Sequence, residues 1–416
     1  MNRRIPNNIL ILALAGLAAP ALAVDHYTVT VVPPLDGGTG TVASGVNDLG
    51  WVVGQADNAS GELVAFVYRN GLTIALPVLD GGSQAKAASV NNAGTVVGEC
   101  KNADGVSRPV VWTEAEEGWT ITDLGTLDSQ SRGFGVATRI SANGKITGYA
   151  SHEGPGSYHA FLLDNGVMTD VGTLGYSGPL AYSQGLGVND AGHVSGYAYR
   201  VLGGPEHGMF VGGRGGEDIT PAERFGLAQW HAVNNSDVMI GYVSATYTNG
   251  SFRPAYYTPG TGITLIPQVS DLTDGYGYDL NDAGTMVGTN FVLNPVPEPN
   301  VFHAFVFSGG TSQDLNDITT GLPGVMTEAV DIAENGLIVG NSDNGFAPVA
   351  VLLTPGASCP ADFNQDGFLD FFDYDDFVSC FEGSGCPDGT TADFNGDGFA
   401  DFFDYDDFVT AFEIGC

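Results

Sequence analysis

The residues best suited to chemistry lie at the C-terminal end of the sequence. Asp362, Asn364, Asp366, Asp370 and Asp373 place side-chain oxygens at positions one, three, five, nine and twelve of a twelve-residue stretch, with Gly367 at six. The stretch returns as Asp393, Asn395, Asp397, Asp401 and Asp404, with Gly398 at six. Calcium takes six to eight oxygen ligands around a sharply turned loop, and position seven supplies a backbone carbonyl, here that of Phe368 or Phe399. Two copies in the same register predict two bound Ca²⁺ ions.

Charge argues the same way. From Cys359 to the end there are 15 acidic residues and no Lys or Arg, so a compact tail repels itself unless cations intervene. Two Ca²⁺ ions would offset four of those charges where the oxygens converge. A unit of this size also needs staples. Cys359, Cys380, Cys386 and Cys416 supply two disulfides with three possible connectivities, and Cys100, left over, reads as a buried apolar thiol.

The elements that position the loops follow from spacing. Phe377 and Phe381, like Phe408 and Phe412, stand four apart and share one helical face. Asp375, Asp376, Asp406 and Asp407 favour the helix N-termini. Each unit has the loop spacing of an EF-hand but no entering helix. Duplicated loop-then-helix units with Asp at twelve, ending in Glu413-Ile414-Gly415-Cys416, resemble the Gly-Cys-terminated variety of dockerin-like domains over residues 359–416. The resemblance implies that Asp362, Asn364, Asp366, Phe368, Asp370 and Asp373 hold one calcium, and Asp393, Asn395, Asp397, Phe399, Asp401 and Asp404 the other. It also implies docking through loop positions ten and eleven, here Phe371-Phe372 and Phe402-Phe403, onto a cohesin-like or other surface-anchoring protein. Familiar dockerins often carry hydroxyl residues at these positions, so this chain departs from a standard cohesin partner.

The chain ahead of the tail is a repeat. Val188-Asn189-Asp190-Ala191-Gly192-His193-Val194-Ser195-Gly196 reads as a hairpin, and it recurs from Val46, Val90, Ile140, Val233, Leu280 and Ile332. Asn starts the turn and Gly accepts positive φ. Successive starts lie 44, 50, 48, 45, 47 and 52 residues apart, a period of blade size. An apolar strand and a fourth strand with an Asp-Leu-Gly-like corner complete each period, predicting four strands per blade. The seventh repeat lacks its fourth strand, whereas Thr28 to Gly38 matches Leu72 to Gly82 and precedes the first hairpin. The expected fold is therefore mainly β: a seven-bladed propeller closed by the N-terminal strand over residues 24–355, plus a small α-helical calcium domain over 356–416. The segments His159-Ala160-Phe161 and His303-Ala304-Phe305 give this region a resemblance to the bacterial extracellular HAF-repeat family, which implies a repeat type and no activity.

Within the repeats, His159, His207 and His303 share one position with Arg108 and Arg253, so they are expected to serve each blade locally rather than form a metal ring. Trp112, Trp119, Trp230, Tyr256 and Tyr257 are candidates for a sugar-stacking face, with core packing the plainer expectation. No nucleophile elbow, metalloprotease helix or phosphate loop occurs. Residues 1–23, with Arg3 and Arg4 ahead of an apolar run and Ala21-Leu22-Ala23 at its end, read as a secretory signal peptide. With 13 basic against 48 acidic residues, nucleic acid is not an expected partner, and nothing after signal removal is expected to insert in a membrane. The functional expectation is an exported, non-catalytic binding or scaffold protein, its propeller open to a glycan or protein ligand and its tail docking it to a surface. The alternatives are an extracellular polysaccharide-degrading enzyme, marked by carboxylates and aromatics at one mouth of the ring, and a tail that serves as a sorting signal removed on export.

Overall fold

The computed structural model describes residues 26–414 apart from 129, 131–132, 154–155, 176–180, 202–203, 213–215, 221–225, 245–250, 270–271, 295–298, 357–360, 365–368, 388–389 and 397. The proposed signal segment, Asp366, Phe368, Asp397, Cys359 and Cys416 thus lie outside the described residues.

Seven sheets, each built on four antiparallel strands, form a seven-bladed β-propeller. The first blade runs Thr41–Val46, Val52–Asp57, Leu63–Arg69 and Leu72–Ala75, each strand paired with the next, and the other blades repeat this order. The ring closes as the sequence predicts. Tyr27–Val31 pairs antiparallel with Pro348–Pro355, from Tyr27 opposite Pro355 to Val31 opposite Val351, and so supplies the fourth strand of the last blade. A short strand, Thr319–Thr320, adds in parallel to Tyr27–Val31, so among the described residues this blade alone has five strands. Tyr27 is 1% exposed, packed with Leu315, Met326 and Leu353, which ties the two chain ends together through apolar burial as well as backbone bonds.

The recurring nine-residue motif has a physical reason at each fixed position. In six blades the first Gly, or Asp237 in the fifth, takes positive φ, from +60° at Asp237 to +89° at Gly144. The second Gly faces a β-bulge present in the innermost strand of every blade, for example between Ala137 and Arg139 or between Gly277 and Asp279. The bulge turns a carbonyl over the neighbouring strand. A Cβ at Gly148 would stand 2.0 Å from the carbonyl oxygen of Val136, and one at Gly241 1.8 Å from that of Gln229.

The Asn that opens the turn works in both directions. Asn189 Oδ1 accepts from His193 N within its own turn at 3.0 Å, while its Nδ2 donates to the carbonyl of Asn234 in the next blade, also at 3.0 Å. Asn47 and Asn234 do the same toward Asn91 and Asn281. The following residues add a second link, as when Asp190 N donates to Asn235 Oδ1 and Asn335 N donates to Asp48 Oδ1 across the closure. The hairpin read from sequence as a local turn is therefore also the belt that joins blade to blade.

In the tail, α1 (Phe371–Phe381) and α2 (Phe402–Ile414) follow the two loops. Phe377 and Phe408 stack at 3.9 Å between ring centroids, and Phe363 and Phe394 pack edge-on around them. Tyr374 and Tyr405 join hydroxyls at 2.5 Å. The internal duplication is thus a packed pair. Cys380 and Cys386 are disulfide-bonded, one of the links that spacing left open, and Cys100 is buried and unpaired.

Candidate calcium loops and propeller mouths

The loop residues that the structure describes are brought together as the spacing requires. Asp373 and Asp404, at position twelve, are fully buried at the third residue of each helix. Asp373 accepts from Asn364 N at 3.1 Å and Asp370 N at 2.9 Å, and Asp404 accepts from Asn395 N at 3.0 Å and Asp401 N at 2.8 Å. Each carboxylate therefore folds its loop back over itself. The backbone N–H groups of Asn395 and Asp401 hold the Asp404 carboxyl below its ordinary range, so it stays anionic. Asp370 caps α1 through Phe372 N and shares a capping box with Asp373. Gly398 takes φ +96° at position six and donates to Asp393 Oδ2 at 2.9 Å, while Asp393 Oδ1 is buried without a hydrogen-bond partner. An anionic oxygen left in that state fits a cation ligand, and the all-oxygen donor set fits calcium.

Beside the loops, Phe371, Phe372, Phe402 and Phe403 are 66–70% exposed, and Phe399 is 73% exposed. Five outward phenylalanines are a large apolar exposure for so small a unit.

The propeller offers two mouths. Around the turn mouth stand Asp48, Asp190, Asp282 and Glu334, and burial with the neighbouring carboxylates pushes Glu334 upward. Deeper in the channel, the residue after the bulge in three blades is charged. Arg139 reaches across the ring to both Asp279 and Asp331. The same two carboxylates accept from Ile332 N and Val46 N of their next blades. Burial and the adjacent Asp331 drive Asp279 well above the ordinary carboxylate range, and Arg139 opposes them. This charged plug has no counterpart in the sequence reading. Its signal was there: Arg139, Asp279 and Asp331 occupy one repeat position otherwise held by Gly45, Ser89, Gly187 and Ala232.

At the opposite mouth, where innermost strands begin and their partners end, aromatic rings gather. Tyr182 stacks on Tyr199 at 4.7 Å and bonds Tyr197 hydroxyl to hydroxyl at 2.7 Å. Tyr242 packs on Tyr276 at 4.7 Å, and His231 stacks on Tyr278 at 5.7 Å. Glu206 accepts from Tyr199 at 3.3 Å and from Gln229 at 2.9 Å. Burial pushes Tyr149 up to about 12 and His231 down to about 4. A cavity of about 600 Å³ opens here, lined by Tyr276, Tyr278, Phe302, Phe346, Glu328 and Asn341 among others, with no basic side chain. These mouth aromatics differ from those singled out by sequence. Trp112 and Trp230 are fully buried in the blade cores, because the strands carrying them face neighbouring blades.

Four of the five repeated His and Arg positions serve their blades, as expected, by meeting the Asp at the corner of the fourth strand; in the fifth blade Leu265 holds that corner and Arg253 Nε is buried without a hydrogen-bond partner. His159 bonds Asp170 at 2.8 Å, His303 bonds Asp314 at 2.5 Å, and Arg108 bonds Asp123 at 2.8 Å. His207 lies 3.1 Å from Asp218.

No protein-family model matches this chain, and no curated protein does. Among solved structures, the chain is similar to an oligogalacturonate lyase in complex with manganese, at 12% identity and a TM-score of 0.46, covering 79% of this chain and 93% of that one. It is also similar to an AofleA mutant from Arthrobotrys oligospora, at 11% identity and a TM-score of 0.36, covering 69% and 89%. A third is the Aleuria aurantia lectin, described as a six-bladed β-propeller with fucose recognition, at 12% identity and a TM-score of 0.26, covering 58% and 77%.

Proposed function

We propose that the chain is an exported binding scaffold whose calcium-loaded tail docks it to a cell-surface or extracellular protein while the propeller presents its aromatic mouth to a ligand. The observation that carries the docking role is the exposure of Phe371, Phe372, Phe402 and Phe403 beside the two carboxylate loops. Loop folding and surface display are coupled, because Asp373 and Asp404 both close a loop and begin a helix. Calcium bound by the Asp, Asn and carbonyl oxygens would fix those phenylalanines for a cohesin-like or other anchoring partner. Among the described residues no helix is long and apolar enough to cross a membrane.

A second reading has its own observation. Carboxylates Glu206 and Glu328 stand among the aromatics of the ligand mouth, the arrangement expected of a polysaccharide-directed enzyme. Both oxygens of Glu206 accept bonds from Tyr199 and Gln229, which favours recognition over proton transfer. The test is capture of envelope and secreted proteins by the full chain with calcium or with chelator. A calcium-dependent partner lost in Phe371→Asp/Phe402→Asp supports docking; capture unchanged by chelator and by the substitutions overturns it. Release of reducing ends from polysaccharide, abolished by Glu206→Gln, would establish the enzyme instead.

A further inference from the structure

In the third blade a second histidine joins the His–Asp pair found in other blades. His152 stacks on His159 at 4.2 Å with planes 12° apart, and its Nε2 lies 3.3 Å from the Asp170 oxygen that His159 Nδ1 meets at 2.8 Å. We propose that His152, His159 and Asp170 form a site for one borderline divalent transition ion of the Zn²⁺ class.

Two of the three ligand-atom separations are already those of a coordination shell. Zinc bonds of about 2.0–2.2 Å put neighbouring ligand atoms roughly 2.8–3.6 Å apart, from octahedral to tetrahedral geometry. Both measured separations fall in that range, and the three ligand atoms all lie within 4.8 Å of one another. Two imidazoles with one carboxylate suit Zn²⁺, Co²⁺, Ni²⁺ or Cu²⁺ and do not suit calcium, which asks for oxygens. Parallel rings cannot aim both lone pairs at one point. His152 has 33% of its side chain exposed against 11% for His159, so it is the ring free to tilt.

Proton balance is satisfied when each ring ligates as the neutral tautomer, His152 with its proton on Nδ1 and His159 with its proton on Nε2. His159 is held through Nδ1 alone, since its buried Nε2 has no hydrogen-bond partner. Metal at Nδ1 sends that proton to Nε2 by tautomer exchange and breaks no other bond. Asp170 stays bonded to Gly172 N at 2.7 Å through its other oxygen, which fixes the carboxylate for the ion. The exposed side of His152 leaves room for water or a further ligand.

The fourth blade is a built-in control. There Arg200 takes the place of His152, with its guanidinium 3.1 Å from Asp218, beside His207. Arginine satisfies the carboxylate but cannot ligate a metal. His152→Arg therefore gives the third blade an arrangement the fold already tolerates.

The test is isothermal titration of the full mature chain with ZnCl₂ in excess CaCl₂, which keeps the tail loops saturated, repeated with CoCl₂ and read by visible absorption. The native chain is expected to take up one more Zn²⁺ equivalent than His152→Arg and to give cobalt ligand-field bands that the variant lacks. The loss of affinity should exceed the roughly 10–100-fold that removing an outer-shell partner costs. Equal zinc uptake by the two chains, or none by either, overturns the proposal. Urea midpoints of the metal-free chains, expected to be equal, separate a lost ligand from a damaged fold.

Discussion

Replacing Arg139 by Met tests the charged plug that spans the ring. The substitution leaves Asp279 and Asp331 facing each other in the channel, 7% and 4% exposed at their side chains, with no cation between them. Removing one partner of a buried ion pair costs about 3–5 kcal/mol, because the remaining charge is uncompensated. Here the carboxylates keep their bonds from Ile332 N and Val46 N and can share a proton, so the lower end, about 3 kcal/mol, is expected at pH 8. The pH dependence has a definite sign. Asp279 is already pushed above the unfolded carboxylate value, and loss of Arg139 pushes it further. A carboxyl raised in the folded state contributes stability that is full below the unfolded pKa and disappears as pH rises through the folded one. The deficit should therefore shrink between pH 8 and pH 5. Urea unfolding followed by tryptophan fluorescence isolates this domain, since all four tryptophans, from Trp51 to Trp230, precede the tail. Adding Asp279→Asn and Asp331→Asn should recover most of the loss, because Asn still accepts the two backbone bonds. A deficit below about 1 kcal/mol, or one unchanged from pH 5 to 8, would refute the view that Arg139 neutralises a buried carboxylate pair.

Chelation of the full chain should remove the far-ultraviolet helical signal of α1 and α2 while leaving the tryptophan unfolding midpoint unmoved; an unchanged helical signal in excess chelator would count against calcium as the staple of the tail. His231, half-buried and near Arg139, is neutral in the fold, with its Nδ1 donating to the Gly277 carbonyl at 2.7 Å. Its contribution is present above the unfolded value of 6.5 and lost as pH falls toward about 4, so the native chain should lose stability relative to His231→Gln over that window. For a half-buried ring the difference is on the order of 2 kcal/mol, and parallel curves for the two chains would reject this. Gly148→Ala places a Cβ 2.0 Å from the Val136 carbonyl oxygen and should destabilise the propeller by roughly 3 kcal/mol or more, through forced backbone movement at the bulge; a loss under 1 kcal/mol would show that the bulge yields.

The propeller was legible in the sequence because its signals are local and repeated. Positive φ at the turn calls for Gly, or Asp237 once, and Asn opens five of the seven copies, so the pattern recurs closely enough to count seven blades. The stray strand from Tyr27 announced ring closure because a fourth strand without its blade has an unpaired edge. The two tail helices and the loops before them were legible for a related reason, since each acidic loop and the helix it starts sit on one short stretch. Other features depend on residues from different blades meeting in space, and no local pattern encodes those meetings. His152 and Asp170 are 18 positions apart, and only the return of the outer strand brings them together. Arg139 finds Asp331 across 192 residues because the ring has closed. Tyr182, Tyr242 and Tyr276 converge on one mouth because the face opposite the turns is where innermost strands begin, near Tyr182 and Tyr276, and where a partner strand ends, near Tyr242, whereas Trp112 and Trp230 are sealed between sheets. Sequence alone determined the repeat, the closure and the acidic loops; the tertiary structure decided which side chains share a site, because that depends on distances around a ring rather than along a chain.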